Sequence, residues 1–145
     1  MNLLNSLRLD NYFSLAAVGA GGKTTALFDL ARELPPPVVI TTTTHFHKNQ
    51  IGLSDSHFVI NEVGKFERIF RKPHGLMLIS GPISNNRASG LNDNLINSLY
   101  GYCQQKYPLL IEADGSRQRP MKAPALYEPV IPGFVDIVLV VVGMI

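Results

Sequence analysis

The segment Gly19-Ala20-Gly21-Gly22-Lys23-Thr24-Thr25 restricts what this chain can fold into more than any other part of it. It follows an almost wholly apolar run, 13–18, and precedes a stretch, 23–33, with Ala26, Leu27, Leu30 and Ala31 at helical spacing. A buried strand, a glycine turn and a helix, in that order, make a cradle for an anion. Glycines let the backbone turn tightly and bring several N–H groups onto a phosphate without side chains in the way. The helix start behind them carries about half a positive charge, which favours the same anion. The pattern predicts a P-loop. The backbone of Gly19, Ala20, Gly21 and Gly22 wraps the phosphates, Lys23 reaches their outer oxygens, and the Thr24 hydroxyl joins the shell of a magnesium ion. Thr25 offers the next hydroxyl. The full eight-residue form of the motif has a glycine where this chain has Ala17, so a modified cradle is expected rather than a lost one.

The rest of the chain alternates short apolar runs with amphipathic stretches, which predicts an α/β fold. A P-loop NTPase-like three-layer arrangement with a mostly parallel sheet, in one nucleotide-binding domain over 1–145, is the expectation. Pro35-Pro36-Pro37 stops the first helix and leads into a β-branched strand, 38–42. Further strands are expected at 58–60, 76–80 and 109–113, with a helix over 92–105. Four prolines make 115–133 a loop, and 135–142 reads as the last strand. That strand is apolar, and only three residues follow it. Because a parallel sheet needs cover on both faces, the pattern predicts a chain incomplete at its C-terminus, with further βα units belonging beyond residue 145.

A magnesium nucleotide needs a carboxylate at the end of a strand near the loop. The run Leu109-Leu110-Ile111-Glu112-Ala113-Asp114 ends in two, spaced to face the same side. Asp114 lies nearer the C-terminal edge, where ligands sit in open α/β sheets, and is expected to partner magnesium through water. Glu112 is the second choice, or a carboxylate that orients the attacking group. Lys23, Asp114 and Glu112 are therefore the catalytic candidates, with Thr24 and Asp114 the metal candidates. A threonine cluster, 41–44, ends the second strand, followed by His45 and His47. Thr43, Thr44 and His45 are candidates for contact with phosphate or a second substrate, although β-propensity alone also accounts for threonines there. Arg117, Arg119 and Lys122 follow Asp114 and could neutralise phosphate or hold an acidic second substrate, unless they simply line a solvated loop.

Other classes are set aside. A net charge of +2, with the cations scattered, gives no footprint for nucleic acid or an anionic membrane. No apolar run approaches the roughly 20 residues that span a bilayer. A single cysteine, Cys103, excludes an internal disulfide framework and suits a reducing compartment, so a cytoplasmic protein is expected.

Taken together, several segments occur in an order that resembles one family. They are Val18 to Thr25, Thr41-Thr42-Thr43-Thr44-His45, Ile111-Glu112-Ala113-Asp114-Gly115-Ser116-Arg117, Lys122-Ala123-Pro124-Ala125 and Glu128-Pro129-Val130-Ile131-Pro132. The combination looks like the YqeC family, accessory proteins of selenium-dependent molybdenum hydroxylases. One departure is Tyr127, where a histidine is expected before Glu128. The resemblance implies an NTPase fold and a maturation role, with a molybdenum hydroxylase or its cofactor-maturation proteins as partners. The residues themselves predict a Mg2+-dependent nucleotide-binding protein, with ATP and GTP undistinguished, that hydrolyses nucleotide or transfers its terminal phosphoryl group. A Mur-ligase-like ATP-dependent ligase shares the short glycine loop, but this chain lacks room for that enzyme's further domains. A non-catalytic nucleotide switch or remnant is the third reading.

Overall fold

The computed structural model describes residues 12–113 and 131–142. Strand β1, Ser14–Gly19, runs into the glycine loop and then into helix α1, Lys23–Glu33. Strand β2 is Val38–Thr42, followed by β3, His45–His47, and a single turn of helix α2, Lys48–Ile51. Next come β4, Ser56–Val59, the short helix α3, Lys65–Ile69, and β5, Leu76–Ser80. A hairpin of β6, Ile83–Ser84, and β7, Arg87–Ser89, precedes helix α4, Asp93–Cys103. Strands β8, Leu109–Glu112, and β9, Ile137–Val141, complete the set.

Six strands form one sheet in the order β4-β5-β2-β8-β1-β9, and every pairing within it is parallel. The expected α/β, P-loop NTPase-like three-layer fold with a mostly parallel sheet is what the chain adopts. Parallel strands need cover on both faces, which is why β2, β5 and β8 are buried along their whole length and apolar up to their polar C-terminal ends. One face packs Leu15, Ala17, Ile40, Leu78 and Leu110 against Leu27, Phe28, Leu30 and Ala31 of α1. The other packs Ala16, Val39, Ile79 and Ile111 against Phe66 of α3 and Leu95, Ile96 and Leu99 of α4. Asn92 caps α4, its Oδ1 accepting from the Leu95 amide at 2.9 Å, which satisfies one donor the helix start leaves unpaired.

Three details differ from the sequence-based expectation. The strand expected at 58–60 lies two residues earlier, because its pairing with β5 sets Ser56 opposite Met77 and Val59 opposite Ser80. A second, antiparallel sheet of order β3-β7-β6 had no counterpart in the expectation. Its hairpin turns at Asn85 and Asn86, with φ of 52° and 63°, the left-handed pair that a two-residue turn requires. The last strand is shorter than its apolar run and lies at the sheet edge beside β1. Its Ile137 and Leu139 pack onto the α1 face, while Val138 and Val140 on the other face are exposed. Among the described residues, no helix is long and apolar enough to cross a membrane.

Candidate functional site

All six strands run the same way, so Gly19, Thr42, Ser80, Glu112 and Val141 end at one edge of the sheet. The glycine loop leaves β1 there. Gly19 has φ of 113° and Gly22 has φ of 99°, conformations that side chains resist. Gly19 is doubly required, since a Cβ at this position would run into the carbonyl oxygen of Val141 on β9. The same oxygen accepts a hydrogen bond from the Ala20 amide at 2.9 Å, so β9 buttresses the start of the loop. Gly21 is different: a Cβ there would meet nothing among the described residues within 4 Å. Packing among the described residues makes no demand for glycine at that position.

Helix α1 begins at Lys23 with Gly22 as its N-cap, which makes no side-chain cap bond, and has no acidic residue in its own first turn. A helix start without a side-chain cap from its own N-cap residue is suited to an anion. Directly behind it, the Thr24 hydroxyl donates to Oε1 of Glu112. Glu112 reaches that position because β8 lies between β2 and β1, with Glu112 in register with Thr42 on one side and Ala17 on the other. The carboxylate belongs to a residue only 7% exposed, a burial that charged groups accept only with partners.

The threonine cluster separates into two roles. Thr41 is fully buried and its hydroxyl donates to Ile79 O at 2.7 Å, tying β2 to β5. Thr42, also fully buried, donates to Glu112 O at 3.0 Å, and the Thr43 amide donates to the same carbonyl at 3.1 Å. These bonds fix the backbone that presents the Glu112 carboxylate. Thr43 and Thr44 are half-buried beyond the strand end, and His45 is exposed at the start of β3. Of the sequence-predicted residues, the structure brings Thr24 and Glu112 together and sets Lys23 and Thr25 in the same helical turn. Asp114, Arg117, Arg119 and Lys122 lie outside the described residues.

What the sequence reading passed over is the small sheet itself, on which its candidate His45 sits. His47 stands opposite Arg87 and His45 opposite Ser89, all four exposed. The Asn85-Asn86 pair between short β-forming runs was the signal that could have revealed the hairpin.

A cavity of about 180 Å³ lies elsewhere, lined by Tyr12, Ser14, Tyr100, Gln104, Tyr107 and Asp136 among others. It opens at the N-terminal ends of β1 and β8, the edge opposite the loop. Backbone amides and a cation of the kind that phosphate-binding sites use are presented by the glycine loop at the other edge, not by this cavity.

Known proteins add one relationship. A family profile described as YqeC protein matches residues 15–145. A curated relative, "Uncharacterized protein YqeC" of Escherichia coli (strain K12), is 33% identical over 136 residues, which is 89% of this chain and 51% of the relative. The chain thus spans about half the length of that protein. No solved structure gives a significant match.

Proposed function

The chain belongs to the YqeC family, and from that premise we propose that it binds a magnesium nucleoside triphosphate at the loop between β1 and α1 and hydrolyses or transfers its terminal phosphoryl group. The observation that carries this reading is the meeting of Thr24, at the start of α1, with the carboxylate of Glu112 on the neighbouring strand. A hydroxyl and a buried carboxylate side by side behind a glycine turn form an all-oxygen donor pair, which suits magnesium. Thr24 and Glu112 are the residues that would hold the ion, with Asp114 the remaining candidate from the sequence. The ion, once bound, neutralises charge on the phosphate oxygens.

The chain's own groups do the positioning. The open face of the loop at Gly21 leaves room for phosphate against the backbone, and the uncapped start of α1 supplies amide donors. Lys23, at the first position of α1, adds a full positive charge for the terminal phosphate. Transfer forms a bond from an attacking oxygen, of water or of an acceptor, to the terminal phosphorus. It breaks the bridging P–O bond, so that nucleoside diphosphate leaves. Fixed donors and cations in place before the reaction lower its barrier without reorganisation.

The family resemblance adds a setting to this chemistry: maturation of a selenium-dependent molybdenum hydroxylase, with that enzyme or its cofactor-maturation proteins as partners. A cytoplasmic location fits the single, buried Cys103, whose thiol pKa is pushed up by burial.

Thermal melting of wild type and Lys23→Ala with Mg-ATP, Mg-GTP and magnesium alone tests the reading. Ligand at 100 times its dissociation constant stabilises by about 2.7 kcal/mol, several degrees in a domain of this size. A magnesium-dependent rise with one nucleotide that disappears in Lys23→Ala is the expected result. A cooperative melt unmoved by either nucleotide would overturn it.

A further inference from the structure

We propose that the cavity at the edge opposite the loop binds a small organic ammonium ion, held between the tyrosines that line it and the carboxylate of Asp136. Binding there does not depend on the nucleotide reading. Ser14, on the cavity wall, and Gly19, in the loop, stand at the two ends of β1, so about 17 Å of strand separates the sites at ~3.3 Å per residue.

Three features converge on a cation. First, helix α4 ends at the cavity, where Tyr100, Cys103 and Gln104, in and just past its last turn, form part of the wall. A helix C-terminus carries about half a negative charge, and α4 has no basic residue in its last turn to meet it. The chain turns back there, with Gln105 at φ of 60° and the Tyr107 amide donating to Cys103 O at 2.9 Å, which returns Tyr107 to the same wall. Lys106, between them, is exposed and does not line the cavity. Second, Asp136 is the one charged residue among the described lining. Its Oδ2 accepts from the Ser14 amide at 3.0 Å and from the Ser14 hydroxyl at 3.1 Å, which fixes the carboxylate just before β9. Among the described residues these bonds all go to Oδ2, and the second oxygen has lone pairs for a ligand's donor.

Third, the tyrosine rings are held in place before any ligand arrives. Tyr100 stacks on Phe134, with centroids 4.2 Å apart and planes 11° from parallel, and Tyr107 stacks on Phe70 at 5.8 Å and 19°. A ring already fixed by a neighbour loses little freedom on binding, and its negative face attracts an ammonium ion. Tyr12 adds a third, more exposed ring. Size then selects among cations. A volume of about 180 Å³ is below the ~300 Å³ at which pockets for drug-sized ligands begin, so an ammonium group on a few carbons fits. A hard metal ion asks for six or more oxygens and would leave the rings unused. An anion would face both the carboxylate and the negative end of α4.

The protein has five tyrosines and no tryptophan, so NMR of tyrosine-labelled protein gives five sets of ring signals. Tyr102, which stacks on Phe70 but does not line the cavity, serves as the control. Methylammonium and tetramethylammonium chloride are titrated separately, against sodium chloride at the same ionic strength. The expected result is saturable movement of the Tyr12, Tyr100 and Tyr107 signals with at least one ammonium ion and not with sodium. Tighter binding of methylammonium identifies a primary amine as the ligand class, and tighter binding of tetramethylammonium a quaternary one. In Asp136→Asn, which keeps an oxygen for Ser14, the dissociation constant should rise about tenfold, as for loss of a charge-assisted contact. In Tyr12→Leu, a change at an exposed position that the fold tolerates, it should rise about two- to fivefold, as for loss of one cation–π contact. Static signals with both ammonium ions, movement matched by sodium, or unchanged affinity in both variants would overturn the proposal.

Discussion

Replacing Gly19 by alanine should damage this protein far more than replacing Gly21, although the two glycines stand two residues apart in one loop. At Gly19 the φ of 113° puts an L side chain in a region that costs about 1–2 kcal/mol. The new methyl also overlaps the Val141 carbonyl oxygen, so the end of β9 must retreat. Retreat loses the Ala20–Val141 hydrogen bond, about 1 kcal/mol, and crowding adds about 1–3 kcal/mol. The total is about 3 kcal/mol or more, worth roughly 6–12 °C at ~2–4 °C per kcal/mol in a domain near this size. Gly21 has neither positive φ nor, among the described residues, a neighbour within 4 Å of an added Cβ, so Gly21→Ala should stay within about 0.5 kcal/mol of wild type. Calorimetric melting without nucleotide measures both. A Gly19→Ala melt within 2 °C of wild type, set against ~6 °C expected, would refute the claim that β9 buttresses the loop. With nucleotide present the order changes: Gly21→Ala should lose the ligand-induced rise, because the room above Gly21 is what a phosphate uses.

Thr24→Val removes one hydrogen-bond partner of a buried carboxylate, and without ligand should lower stability by about 1–3 kcal/mol, read by denaturant unfolding. With nucleotide it should also abolish the difference between melts in magnesium and in EDTA, whereas a magnesium effect left intact would remove Thr24 from the metal site. His57 has its pKa held below 6.5 by burial, and its Nε2 lies 2.8 Å from Ser80 Oγ. Because the neutral form is favoured in the fold, its contribution is complete above the unfolded pKa and lost as pH falls through the folded one. The melting temperature of wild type minus that of His57→Gln should therefore shrink from pH 7.5 to pH 5, and a constant difference would contradict this. Ser56 Oγ is buried without a hydrogen-bond partner among the described residues, so Ser56→Ala should be neutral or raise stability by up to about 1 kcal/mol, measured by urea unfolding.

Much of this architecture is written locally. The strand before the loop, the helix after it and the largely apolar strands at 38–42, 76–80 and 109–112 follow from periodicity and glycine placement, which act between near neighbours in the chain. The small sheet was harder to read. Its strands are two or three residues long, too short for a period, and its His45 suggested a ligand before it suggested a strand. The threonine cluster shows the same limit. Thr41 and Thr42 look like their neighbours in sequence, yet burial and bonds to β5 and β8 make them structural.

By itself, then, the sequence determined an α/β chain with a glycine loop between a buried strand and a helix, and it narrowed the acidic candidates to Glu112 and Asp114. Tertiary structure decided that Glu112 stands against Thr24, a contact spanning 88 residues of chain, because β8 is inserted between β2 and β1. It also decided that Gly19 answers to β9, and that His47 faces Arg87. Periodicity records which side of an element is buried. Strand order and close approach depend on how distant segments share one core, and no local pattern encodes that.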